Sequence, residues 1–102
     1  MREYKFKRGF AATSERLESL LVKYFGKFEK NEEFYIVSFG AVEELKIKLE
    51  KRKILVSSKT KKNVPDNVAI ETIKTYNKFL EELTGYTAKE RQKMLKKEVE
   101  RS

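Results

Sequence analysis

The sequence contains no cysteine and no histidine. The first absence excludes disulfides, thiolate nucleophiles and cysteine-bound metals. The second removes the commonest general base near neutral pH and the commonest zinc ligand. Tryptophan is missing as well, proline occurs once, and four glycines stand singly at positions 9, 26, 40 and 85, so no phosphate-cradling glycine loop is present. No run of residues approaches the roughly 20 apolar positions of a membrane helix. A positively charged start without a following apolar stretch argues against a signal peptide. These absences point to a cytoplasmic protein with no cofactor and no metal.

What is present is charge. Of 102 residues, 24 are Lys or Arg and 16 are Asp or Glu, for a formal charge of +8. Such a balance favours anionic partners, but it also lies within the range that keeps a small domain soluble. The apolar share, 39%, equals the charged share and is periodic, so the chain is a folded domain and not a disordered one.

Residues Arg2 to Arg8 alternate, with Tyr4 and Phe6 on one side and Glu3, Lys5 and Lys7 on the other, as in a half-buried strand. Thr13 is a helix cap, followed by Leu17, Leu20, Leu21 and Tyr24 on one helical face and closed at Gly26. Lys27 to Lys30 reads as a short strand, and Phe34 to Phe39 as a strand covered on both sides. Leu45, Ile47 and Leu49 alternate with Lys46 and Lys48, Lys51 and Arg52 form a turn, and Ile54 to Val56 return. Ser57 to Asn63 reads as a polar basic loop.

Beyond Pro65, Asp66 or Asn67 caps a helix whose stripe is Ala69, Ile73, Tyr76, Leu80 and Leu83. Thr87 and Glu90 form a capping box for a last, basic helix. The expected class is α+β, a two-layer sandwich with an antiparallel sheet and helices on one face, in the order β-α-β-β-β-β-α-α. Residues 1–86 form the sandwich core, and residues 87–102 a basic C-terminal helix of the same domain. Phe6, Leu17, Leu21, Ile47, Leu49, Ile73, Tyr76 and Leu80 are the expected core.

The stretches EYKFKRGF, Glu3 to Phe10, and KFLEELTGYTAKER, Lys78 to Arg91, resemble a family of short archaeal proteins of unknown function. The element order resembles the TATA-box-binding protein-like fold, whose unit is β-α-β4-α. That resemblance implies a sheet face available for binding. The paired exposed phenylalanines that wedge between bases in the TATA-box-binding protein have no counterpart here, so no functional residue carries over.

Acidic neighbours occur at Glu32/Glu33, Glu43/Glu44 and Glu81/Glu82, and these read as solvated surface. Ser38, Ser57 and Ser58 have no histidine to activate them. The chain is therefore expected to bind and not to catalyse. Basic charge concentrates at residues 1–8, in Lys59, Lys61 and Lys62, and in the tail, whereas residues 66–86 carry four acids against two lysines. Weak, sequence-independent nucleic-acid binding through Lys5, Lys7, Lys46 and Lys48, helped by Lys59, Lys61 and Lys62, is the leading expectation. The alternative is a homodimer or protein-interaction module, with Tyr35, Val37 and Phe39 as an apolar row left open on the sheet.

Overall fold

The computed structural model describes residues 2–101, with side chains through Met94. Five strands and three helices follow one another as β1 (Arg2–Lys5), α1 (Ser14–Phe25), β2 (Glu29–Asn31), β3 (Phe34–Phe39), β4 (Val42–Glu50), β5 (Lys53–Thr60), α2 (Asp66–Thr84) and α3 (Ala88–Arg101). The strands make one antiparallel sheet in the order β1-β5-β4-β3-β2. The helices lie on one face, so the α+β layering read from the sequence holds.

Local chemistry explains the ends of the elements. The Thr13 hydroxyl accepts from the backbone N–H of Arg16 at 3.3 Å, and Gly26 closes α1 with positive φ. At α3 the capping box closes in both directions: Thr87 N–H donates to Glu90 Oε1 at 3.0 Å, and Glu90 N–H donates to Thr87 Oγ1 at 3.2 Å. At α2 no side-chain cap forms; Pro65 is the cap residue and Asp66 is already helical. The last carbonyls of α2 are taken instead by Arg16, whose guanidinium donates to Leu83 O at 2.6 Å and to Glu82 O.

The interior is built from Tyr4, Phe6, Tyr35, Val37, Leu45, Ile47, Ile54 and Val56 of the sheet layer against Leu17, Leu20 and Leu21 of α1 and Phe79, Leu80 and Leu83 of α2. Gly85 ends α2 at φ 86°, and a Cβ placed there would lie 2.6 Å from the Phe10 ring, so the α2–α3 junction requires glycine.

Four expectations need correcting. Tyr35 and Val37 are 3% and 4% exposed and face the helices, and Phe39 packs on Phe25 at 4.1 Å between ring centroids. The open row of β3 is Phe34 and Ile36 instead. A run apolar on both sides carries no phase, and the register of β3 on β4, Tyr35 opposite Ile47 and Val37 opposite Leu45, sets it. Ser57 to Thr60 is strand, not loop, because β4 is nine residues long and pairs as far as Val42 with Thr60. Ile73 is 58% exposed and Ile70 52%, so the α2 stripe is rotated toward Thr72, Phe79 and Leu83. Lys7 leaves the sheet altogether. Its N–H donates to Thr84 O at 2.7 Å and its ammonium lies over the Tyr86 ring, at the α2–α3 junction.

Candidate functional site

Two surfaces carry the charges that the sequence singles out. The first is the open sheet face. Alternation and register bring Lys5 and Lys53, Lys48 and Leu55, Lys46 and Ser57, and Glu44 and Lys59 side by side across the strands. Phe34 and Ile36, both half-buried, flank Lys48 and Lys46 on β3. Of the predicted cations, Lys5, Lys46, Lys48 and Lys59 therefore share this face, while Lys7, Lys61 and Lys62 do not.

The lysines there have acidic company. Lys48 Nζ lies 3.1 Å from Glu33 and 3.2 Å from Glu50. Lys46 lies 3.6 Å from Glu44, and Lys53 lies 3.3 Å from Glu3. Lys59 lies 4.0 Å from Glu43. Hydrogen bonds that the Lys48 ammonium donates to Glu33 and Glu50 push it above its ordinary pKa. The face is thus a lattice of opposite charges. A surface depression of about 770 Å³ begins at its end and is lined by Lys30, Lys48, Lys51 and Lys53 together with Glu32, Glu33 and Glu50.

The second surface lies on the helix side, between α2 and the β5–β1 edge of the sheet, and the sequence does not announce it. Its upper part is a cleft of about 400 Å³ with Val42, Leu45, Val64, Ala69 and Ile73 as apolar walls and Ser58, Thr60 and Thr72 as polar points. Lys61 stands at its mouth. A second hollow, lined by Arg2, Val56, Ser57, Ser58 and Tyr76, adjoins it through Ser58 and Tyr76. A third, small one adds Tyr4, Asn77, Arg91 and Gln92 and shares Arg2 and Tyr76 with the second. Together they form one groove with Tyr76 at its middle.

The groove lies between two places at which α2 is held. Near its start, the buried Thr72 hydroxyl accepts from Ala41 N–H at 2.9 Å, and Gly40 has no Cβ to obstruct that approach. Near its end, Phe79, Leu80 and Leu83 are fully buried. Between them Ile73 and Tyr76 face the gap.

The cationic end is unusual. Arg91 is 5% exposed, yet its guanidinium has only neutral partners: Tyr86 O at 2.6 Å, Asn77 Oδ1 at 3.0 Å, and the Tyr4 ring beneath it at 5.7 Å. Burial lowers its pKa, with Glu81 acting on it only from beyond ion-pair distance. Among the described residues no carboxylate pairs with Arg2, Arg91 or Lys61. Tyr76 is raised well above the ordinary tyrosine range, first by burial and then by the neighbouring Tyr4, so it stays a neutral phenol. Among the described residues the groove lining holds three cations and no acid.

Among the described residues no cluster of acids could hold a metal ion, and no helix is long and apolar enough to cross a membrane.

A family model described as "Domain of unknown function (DUF5611)" matches residues 1–97. A hypothetical protein from Thermoplasma acidophilum, with a solution structure determined by NMR, is similar to this chain. The two are 34% identical, with a TM-score of 0.65 over 93% of this chain and 97% of the other. Among curated proteins nothing matches the chain.

Proposed function

The chain belongs to the DUF5611 family, and we propose that it is a cytoplasmic binding domain, not an enzyme, whose site is the groove between α2 and β5 and whose ligand is anionic. One observation carries this reading. The lysines of the open face are matched by glutamates, whereas Arg2, Arg91 and Lys61 reach the groove with no carboxylate of the described residues paired to them. Arg91 is buried with neutral hydrogen-bond partners and no counterion, and an anion at the exposed Arg2, which shares its hollow, would supply one. The groove supplies hydroxyls, guanidiniums and an apolar wall, but no group that exchanges a proton near neutral pH.

The element order also fits a single TATA-box-binding protein-like unit with an added helix, and we read the fold as of that type. Nucleic acid along the open face is the weaker reading. Phosphates would have to displace Glu33, Glu44 and Glu50 from the lysines they hold. Amide chemical-shift mapping decides between the surfaces. Pyrophosphate and a short duplex oligonucleotide are titrated separately at low salt. Shifts at Ser58, Tyr76 and Asn77 support the groove. Shifts confined to residues 46 and 48, abolished by charge reversal there, would restore the open face.

A further inference from the structure

The groove is not uniformly polar, and its asymmetry says more about what fits it. Two of its three cationic groups, Arg2 and Arg91, gather at the end where Asn77 and Tyr4 lie, while Lys61 stands at the mouth of the other. Its apolar walls, Val42, Leu45, Val64 and Ile73, gather at the other end. Its length follows from the two elements that line it. Along α2 the lining runs from Ala69 to Asn77, which is about 12 Å at 1.5 Å per residue. Along β5 it runs from Val56 to Thr60, which is about 13 Å at the rise of a strand. The apolar part alone, about 400 Å³, falls within the range of small-molecule sites.

Resting on the reading of the groove as an anion site, we propose that its ligand is an amphipathic monoanion about 12 Å long, such as a medium-chain carboxylate. The head sits at Arg2, backed by the field of Arg91, and the chain lies along Tyr76 under Ile73. Charge complementarity selects this occupant: a neutral chain would leave the arginines unmatched, and a bare dianion would leave the apolar walls wet. Ile73 supports the same assignment. It is 58% exposed in the free protein and borders the apolar cleft, so a chain in the cleft would cover it.

The test uses the full chain with four probes below their micelle thresholds: decanoate, decanol, decyltrimethylammonium and pyrophosphate. Affinity is read by calorimetry and location by amide shifts. Decanoate is expected to shift Ser58, Ile73 and Tyr76 amides and to bind at least tenfold more tightly than decanol or the cationic amphiphile. Arg2→Gln should weaken it about tenfold, the scale of one charge-assisted hydrogen bond. Ile73→Ser, a neutral change at an exposed position, should also weaken decanoate, through the lost apolar contact with its chain. Decanol binding as tightly as decanoate overturns the proposal. So does pyrophosphate binding in the groove with decanoate no tighter, although anion binding there then stands. If no probe shifts the groove amides, both readings fall.

Discussion

Lys46 and Lys48 on the open face and Arg2 and Arg91 on the groove carry the same formal charge in opposite company. The first two stand in rows with Glu33, Glu44 and Glu50, each within 4 Å of a carboxylate. The second two share a groove with tyrosines, an asparagine and aliphatic walls. Exposed pairs in water gain little and are screened by salt. A guanidinium held away from water by neutral partners keeps a field that an incoming anion can use. Charge density in the sequence is therefore a poor guide to where this protein attracts an anion; the distance from each cation to the nearest carboxylate is a better one.

Several substitutions break or sharpen that contrast. The largest effect belongs to the interior both surfaces rest on. Leu80→Ala empties a fully buried site between α1, α2 and the sheet, and should cost about 2–5 kcal/mol in denaturant unfolding. A loss below about 0.5 kcal/mol would place Leu80 at the surface and dissolve the two-layer account.

Next in size is a change that touches only one wall. Thr72→Val leaves the Ala41 N–H without its acceptor, at a cost of about 1–3 kcal/mol. Amide shifts should spread from Ala41 to Ala69 and Ile73 and leave Lys46 and Lys48 unchanged. Equal disturbance of both surfaces would mean that α2 does not shape the groove through this contact.

A smaller effect separates the faces by titration. Tyr35 is pushed up to about 12, first by burial and then by its hydrogen bond to Glu18 at 2.7 Å. Its unfolded value is about 10, so any stability linked to it is complete below that pH and is lost as pH rises toward 12. Ultraviolet absorbance should show a late phenol step that Tyr35→Phe removes. Ionisation of Tyr35 near pH 10, the ordinary value, would return it to the open face.

The smallest effect is expected at Lys46. Its pair with Glu44 is half-exposed on both sides, so Lys46→Gln should change stability by no more than about 0.5 kcal/mol. A cost of 2 kcal/mol or more, the scale of a buried network, would show that the lattice on the open face is structural.

Much of the fold is legible without coordinates, for local reasons. Thr13, Gly26, Gly85 and the Thr87–Glu90 box act within a few residues of where they stand, and each marks the helix end it predicts. Strict alternation in Leu45–Leu49 names its own inward side. The stretch FYIVSF names none, because either side could be buried, and only the fold turns Tyr35, Val37 and Phe39 toward the helices. The stripe of α2 failed for a related reason. Ile73 has the right period for the core, but Thr72 is the residue that meets the β3–β4 turn, and its hydrogen bond rotates the helix.

By itself, then, the sequence determined the elements, their order, their capped ends and the absence of histidine and cysteine chemistry, since all of these depend on near neighbours or on composition. Tertiary structure alone decided which cations are matched. Arg2 and Arg91 lie 89 positions apart in the chain, and nothing local says that both will line one hollow beside Tyr76, or that Glu33 will reach Lys48. Electrostatic company is set by distances across the fold, and those exist only once the sheet register and the seat of α2 are in place.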